Sequence, residues 1–334
     1  MEQIRLGNTV FEGNNSVYLF DGDPTVLVDS GLGTPEARQE LESALAEYGV
    51  AFADVDEVLL THYHGDHAGL AGAIREAGGA TIRVHEADAD LVRGEPAAWE
   101  ALYATQKRLF EAWGMPDPER ETLLERMDNA EEMYSGTLAV ETFEDGDTFD
   151  VGETTLEVMH SPGHTAGLVS FVMTDRNEVF SGDALLPVYT PNVGGADVRV
   201  DRPLAKYLTT LDRYVQRDFD RAWPGHREAI DDPTGRAEDI SHHHGERALR
   251  VVNVLAERGS ADAWTVSADL FGDLEDIHVL HGPGEASAHL DHLVDLGDVE
   301  TDEGQYRLTA DGEARLAEHE GETWPLREGA PVES

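Results

Sequence analysis

The sequence predicts an α/β protein in two parts: a large mixed domain over residues 1–235 and a small, helix-rich module over 240–320. Three observations lead there. Short apolar runs alternate with helical patterns up to residue 85, the rhythm of an α/β layer structure. Between 94 and 136 that rhythm stops, and apolar residues recur at helical spacing with no strand between them, as in a helical insertion. After Asp231-Asp232-Pro233-Thr234-Gly235, the sharpest break in the chain, three helical patterns run into a hairpin-like stretch.

Taken in order, residues 17–20 and 25–29 are β-like runs joined by the turn Asp21-Gly22-Asp23-Pro24. Pro35 opens a helical pattern carried by Ala37, Leu41, Ala44, Leu45 and Tyr48, and Gly49 ends it. Residues 55–60 form an apolar run leading into Thr61-His62; a helix over 68–77 and a strand over 81–85 follow. In the insertion Trp99, Leu102, Tyr103, Gln106, Leu109, Phe110 and Trp113 share a helical face, with a second helix carrying Leu123, Leu124, Met127, Met133 and Tyr134. Strand patterns return at 138–143, 154–160, 168–173 and 178–181, then a Pro/Gly-rich loop at 184–203 and a helix over 204–216. The module beyond 240 reads as helices at 245–258, 264–271 and 284–296, then a hairpin at 299–308, the order of a winged helix. Residues 321–334 read as an acidic tail.

Composition narrows the function. Lys and Arg total 24 against 68 Asp and Glu, a net charge of −44, and only Lys107 and Lys206 are lysines. Such a field repels polyphosphates, so a duplex nucleic acid is not an expected partner. The acidity is spread over the whole chain. With lysine scarce, this reads as adaptation to a very salty cytoplasm, where the Debye length falls to about 3 Å. The absence of cysteine excludes disulfides, thiolate metal sites and cysteine nucleophiles. No apolar run approaches the roughly 20 residues of a membrane span, and no basic-then-apolar leader is visible, so the expectation is a cytoplasmic protein with no membrane partner.

The strongest chemical signal is Thr61-His62-Tyr63-His64-Gly65-Asp66-His67. Four metal-ligand side chains fall on a loop leaving a strand, and a loop can turn several imidazoles toward one point where a strand would split them between faces. Three single pieces follow later strand-like runs, each at a tight turn: Ser161-Pro162-Gly163-His164, Ser181-Gly182-Asp183 and Trp223-Pro224-Gly225-His226.

In these residues the chain resembles the metallo-β-lactamase-fold hydrolases over about residues 1–230. The resemblance implies an αββα sandwich with two divalent ions at one edge, zinc first, with iron or manganese as alternatives. It implies that His62, His64 and His164 bind one ion, that Asp66, His67 and His226 bind the other, and that Asp183 bridges them. Asp29, ending an early strand, matches the family's early aspartate and is expected to support the ligands from behind. Two such ions share a hydroxide that attacks the substrate, and Asp66 is the catalytic candidate that orients it.

Substrate contacts are expected from the aromatic insertion, through Phe110 and Trp113, and from the loop after Asp183, through Tyr189 and Asn192. The resemblance extends loosely to a branch whose catalytic domain precedes a winged helix. Its members include thioesterase-like enzymes and enzymes that cut single-stranded RNA. The would-be reading helix offers Glu285, Asp291 and Asp295 with no lysine or arginine. The expected activity is therefore hydrolysis of a small ester, thioester or lactone, as in a glyoxalase-II-like thioesterase, with a homodimer as the expected assembly. The alternatives are a phosphodiesterase or ribonuclease acting on single-stranded RNA, and a non-enzymatic nucleic-acid-binding regulator.

Overall fold

The computed structural model describes residues 1–7, 13–130, 138–272 and 278–327 of the chain. The side chains of Met127, Met133 and Tyr134, and residues 328–334 of the acidic tail, lie outside the described residues. The chain divides into two compact units. Unit 1 comprises Met1–Trp99, Met133–Pro191 and Asp212–Ala237, and unit 2 comprises Glu100–Glu132, Asn192–Leu211 and Glu238–Ser334. The helical insertion is thus divided between the two, most of it belonging to unit 2.

In chain order the first elements are β1 (Glu2–Arg5), β2 (Ser16–Phe20), β3 (Val26–Val28), α1 (Pro35–Glu47), β4 (Glu57–Leu59), α2 (Gly65–Ala68), α3 (Ala71–Gly78), β5 (Thr81–His85) and α4 (Ala89–Val92). The insertion forms α5 (Pro96–Ala112) and α6 (Asp117–Ala130). Then come β6 (Val140–Phe143), β7 (Thr148–Val151), β8 (Thr154–His160), β9 (Val169–Met173), β10 (Glu178–Gly182), α7 (Pro203–Arg217) and β11 (Arg221–Pro224). The last elements are α8 (Pro233–Arg258), α9 (Ala263–Phe271), α10 (His278–Asp295), β12 (Val299–Asp302), β13 (Gln305–Leu308) and α11 (Ala310–Glu318).

Unit 1 holds two mixed sheets, one ordered β1-β2-β3-β4-β5-β6 and one ordered β11-β10-β9-β8-β7. Their strands are buried on both faces, and side-chain alternation sorts them. Tyr18, Phe20, Val26 and Val28 meet Val158, Phe171 and Phe180 between the sheets. Val17, Leu19 and Leu27 point the other way, onto Leu41 and Leu45 of α1 and Ile74 of α3. Helix α1 starts where Thr34 accepts a hydrogen bond from the Ala37 amide and Pro35 takes the first position, where no amide is needed. On the outer face of the second sheet the Tyr214 hydroxyl of α7 lies 2.7 Å from the Ser170 hydroxyl of β9.

Topology gathers the site. Strands β3 and β4 are parallel. Strand β8 is antiparallel to β9 and β9 to β10, while β10 is parallel to β11, so β8, β10 and β11 all end on the same edge of their sheet. Those ends carry Asp29, His62, His164, Asp183 and His226.

Unit 2 is helical apart from the antiparallel hairpin β12–β13. The Asp231–Gly235 break is the start of α8: Asp232 accepts the Gly235 amide at 2.9 Å, as a capping residue does. Trp324 is wholly buried; its amide donates to the Gly245 carbonyl and its indole to Asp298. No described helix is long and apolar enough to cross a membrane.

Candidate metal centre

His62 and His64 leave β4 on an irregular loop, and Asp66 and His67 follow on the single turn α2. His164 sits on the turn after β8, Asp183 directly after β10 and His226 directly after β11. All seven lie in unit 1, and except for His64, which is half-buried, they are buried.

Three imidazole nitrogens converge on one point. His64 Nδ1 is 3.0 Å from His62 Nε2 and 3.1 Å from His164 Nε2. Two nitrogens held by one tetrahedral ion at roughly 2.0–2.1 Å sit about 3.3 Å apart, so this spacing is close to that of ligands on a common ion. A second group joins Asp66, His67 and His226, with His226 Nε2 3.5 Å and His67 Nε2 3.9 Å from Asp66 Oδ2. Asp183 stands between the groups: Oδ1 is 3.4 Å from His67 Nε2, and Oδ2 is 3.4 Å from His226 Nε2 and 3.7 Å from His164 Nε2. The backbone closes in around it. A Cβ on Gly225 would lie 2.5 Å from Asp183 Oδ1 and 2.6 Å from His67 Cε1, so only glycine fits there.

The polar accounting shows what the site lacks. His67 Nε2, Asp183 Oδ1 and His226 Nε2 are buried and have no hydrogen-bond partner. Buried polar atoms are nearly always satisfied, and three unsatisfied ones aimed at the same small volume fit divalent ions as their missing partners. The opposite ring nitrogens are tied down. His67 Nδ1 donates to Asp29 Oδ2 at 2.9 Å, and His226 Nδ1 donates to the Gly13 carbonyl at 2.9 Å, which leaves each Nε2 free to bind metal. Asp29 also accepts the Thr61 amide at 2.7 Å and the Thr61 hydroxyl at 2.8 Å. It does so from a left-handed backbone, φ 61°, a conformation that aspartate tolerates better than most residues.

Burial holds His62 well below the usual histidine pKa, reinforced by its neighbours His67 and His64. Burial also opposes charge on His67, but Asp183, Asp66 and Asp29 together outweigh it and raise its pKa well above the usual value. His226 is raised against its burial chiefly by Asp183. Burial works against charge on Asp183 too, and His226 and His67 more than offset it, holding its pKa well below the usual value. The site is therefore a set of mutually stabilised charges into which a divalent cation can exchange for protons.

The four expected substrate contacts fare differently. Tyr189, in unit 1, is exposed, with the Arg227 guanidinium 4.9 Å over its ring. Asn192, Phe110 and Trp113 belong to unit 2. Phe110 is fully buried and packs against Trp113, which is also buried. The Asn192 carboxamide accepts the Gly195 and Ala196 amides and donates to the His281 carbonyl.

Unit 2 has a cluster of its own in His244, Glu285 and His289. Arg247 is already ion-paired with Glu285, and burial holds both histidines well below their usual pKa. A divalent ion would leave that enclosed site with a surplus of two positive charges, so the cluster acts as a neutral polar tie between α8 and α10.

Residues 10–226 match the family described as "Metallo-beta-lactamase superfamily". The chain belongs to that superfamily. A crystal structure of a metallo-beta-lactamase family protein from Thermus thermophilus is 31% identical, covers 92% of this chain and 98% of that one, and superposes with a TM-score of 0.78. A beta-lactamase domain protein from Burkholderia ambifaria, at 23% identity and a TM-score of 0.76 over 92% of each chain, shares the fold. The "Probable metallo-hydrolase YqjP" of Bacillus subtilis is 27% identical over 87% of this chain and 91% of its own. The "Lactamase-like protein aptB" of Emericella nidulans is 25% identical over 75% of this chain, a match spanning 62% of that relative's length. As a metallo-β-lactamase-fold metallo-hydrolase the chain is expected to use divalent metal ions, and its histidine–aspartate clusters fit such a site.

Sequence reasoning did not single out Asn15, whose amide donates to Asp66 Oδ2 at 3.3 Å, nor Asp88, which bonds the ligand loops. Asn14-Asn15 follows a glycine, a turn signal that could have drawn attention to it. Asp88 carried no local signal.

Proposed function

We propose that this metallo-β-lactamase-fold protein is a dinuclear hydrolase of a small ester, thioester or lactone. One divalent ion is held by His62, His64 and His164, the other by Asp66, His67 and His226, and Asp183 lies between them. The observation that carries this reading is the trio of unsatisfied buried atoms, His67 Nε2, Asp183 Oδ1 and His226 Nε2, beside three converging imidazole nitrogens. Zinc suits four-coordinate nitrogen and oxygen ligand sets of this kind.

Bound divalent ions supply Lewis acidity and make water a nucleophile at neutral pH. The chain's residues do the positioning. Asn15 donates to one oxygen of Asp66, fixing that carboxylate so that Asp66 can hold and orient the attacking group. Asp29 and the Gly13 carbonyl fix the rings of His67 and His226. Tyr189, exposed on the loop after Asp183, is the substrate contact this reading assigns.

A small acyl substrate is favoured over RNA because basic side chains are scarce, 24 in 334 residues, and a nuclease must hold several phosphates beyond the metals. The same reading takes the helices and hairpin of unit 2 as a winged-helix-like module serving packing or dimer formation, and the acidic composition as adaptation to a salty cytoplasm. Metal analysis of the reconstituted protein, followed by assays of thioesters, lactones and short single-stranded RNA in concentrated KCl, tests it. Two ions per chain and metal-dependent thioester or lactone turnover are expected. Inert small esters alongside metal-dependent RNA cleavage would transfer the assignment to a ribonuclease.

A further inference from the structure

Asp88 immediately follows β5 and stands at the N-terminal cap of α4, yet its side chain makes no capping hydrogen bond to that helix. Aspartate is among the best capping residues, and leaving a cap unmade forgoes stabilisation of about 1 kcal/mol. The carboxylate is instead turned inward, with no solvent exposure at all. Its Oδ2 accepts the Tyr63 amide at 3.2 Å and the Thr165 hydroxyl at 3.2 Å, and its Oδ1 accepts the Gly167 amide at 3.1 Å.

Those three donors sit on two different loops. Tyr63 lies between His62 and His64, and Thr165 follows His164. The groups that Asp88 joins are therefore the two loops that bring His62, His64 and His164 together. The second loop is shaped around the carboxylate: a Cβ on Gly167 would lie 2.5 Å from Asp88 Cγ and 2.7 Å from Oδ1. The other ligand group, Asp66, His67 and His226, is held by different residues: Asn15, Asp29 and the Gly13 carbonyl.

We infer that Asp88 is a positioning residue for the three-histidine ion alone, fixing the distance between its two loops, so that the two ions of the centre have separate braces and separately tunable affinities. This rests on the dinuclear reading above. Hydrogen bonds to an ionised acceptor are stronger than neutral ones, and buried partners of this kind change metal affinity by about 10–100-fold when removed. In Asp88→Asn one oxygen becomes a donor and must face either the Gly167 amide or the Tyr63 and Thr165 donors, so one loop is released.

The test is a metal titration of the full-length protein, stripped by chelation and loaded with Zn²⁺ against a chromophoric chelator, which resolves two stepwise constants. Asp88→Asn should weaken one constant about 10–100-fold and leave the other unchanged. In a His226→Gln background, where the three-histidine site remains, the same substitution should weaken the surviving constant. Thr165→Val, which removes a single donor, should act in the same direction by less, and it decides the matter if Asp88→Asn does not fold. The inference is overturned if both constants stay at wild-type values while only the melting temperature of the stripped protein falls, the mark of a purely structural role. It is equally overturned if both constants fall together. A wild type that takes up no ions would instead sink the dinuclear reading, and the brace with it.

Discussion

Replacing Asp29 by asparagine changes one atom of the centre's support and should weaken one ion. The native carboxylate accepts from Thr61 N at 2.7 Å through Oδ1 and from His67 Nδ1 at 2.9 Å through Oδ2. Asparagine tolerates the left-handed backbone, and its carbonyl can still accept the Thr61 amide. Its NH₂ then faces His67 Nδ1, where two donors meet. The imidazole escapes by moving its proton to Nε2, the buried atom aimed at the metal position. A cation must then displace that proton and forgo the charge-assisted bond behind the ring. Loss of such a partner lowers metal affinity about 10–100-fold, or about 1.4–2.7 kcal/mol. Competition titration with a chromophoric chelator at pH 7.5 reads the change, and circular dichroism of the metal-free variant checks the fold. Loss at the Asp66–His67–His226 ion with the three-histidine ion intact is expected. Two wild-type constants in a folded Asp29→Asn protein would refute the tautomer argument.

Asp183→Ala should cost more activity than His160→Ala, because Asp183 faces both ligand groups while His160 Nε2 is engaged with the Ala166 carbonyl; kcat/KM of the two variants compares them directly. Gly225→Ala drives a Cβ into Asp183 and His67 and should lower bound metal below two ions per chain, read by elemental analysis. Because Asp183 and its neighbours raise the pKa values of His67 and His226, metal uptake near neutral pH should release protons and tighten as pH rises; calorimetry in two buffers of different ionisation enthalpy measures the count. His85 is depressed to about 4 by burial and by the facing ring of His160, stacked at 4.2 Å, so the unfolded chain takes up this proton first. Stability above pH 6.5 should therefore be lost progressively as pH falls toward 4, and His85→Gln should flatten that loss in urea midpoints.

What the sequence made legible follows from where each feature is encoded. The seven metal-facing residues each follow a strand end, and three adjoin a glycine, so residue type and local turn chemistry alone placed them on loops; parallel β8, β10 and β11 then carried them to one edge. Helix α1 was readable within one residue because Pro35 and Gly49 bracket it. Strand β7 was not readable, since Thr148–Val151 offers only Phe149 and Val151 as apolar residues and is mostly exposed. The start of α8 was misleading for a physical reason: Asp, Pro, Thr and Gly favour turns, and the same residues also cap and open helices. Phe110 and Trp113 have the apolar character of a substrate cover and equally that of a core, and periodicity cannot separate the two.

The supporting carboxylates were the least legible, and the reason bears on how the centre works. Four aspartates are buried within the centre, and they fall into two kinds. Asp66 and Asp183 turn oxygens toward imidazole nitrogens at 3.4–3.9 Å, too far for good hydrogen bonds and suited to a cation between them. Asp29 and Asp88 are surrounded by amide and hydroxyl donors at 2.7–3.2 Å. The first kind must be satisfied by something that comes and goes, and ligand-type spacing reveals it. The second kind is satisfied by the fold itself, through backbone donors that any sequence supplies, so no motif marks it. Its negative charge still acts on the metals through the loops and rings it fixes. Affinity at each ion is thus set partly by residues that never touch it, and this gives the fold a way to vary its metal centre while every ligand stays the same.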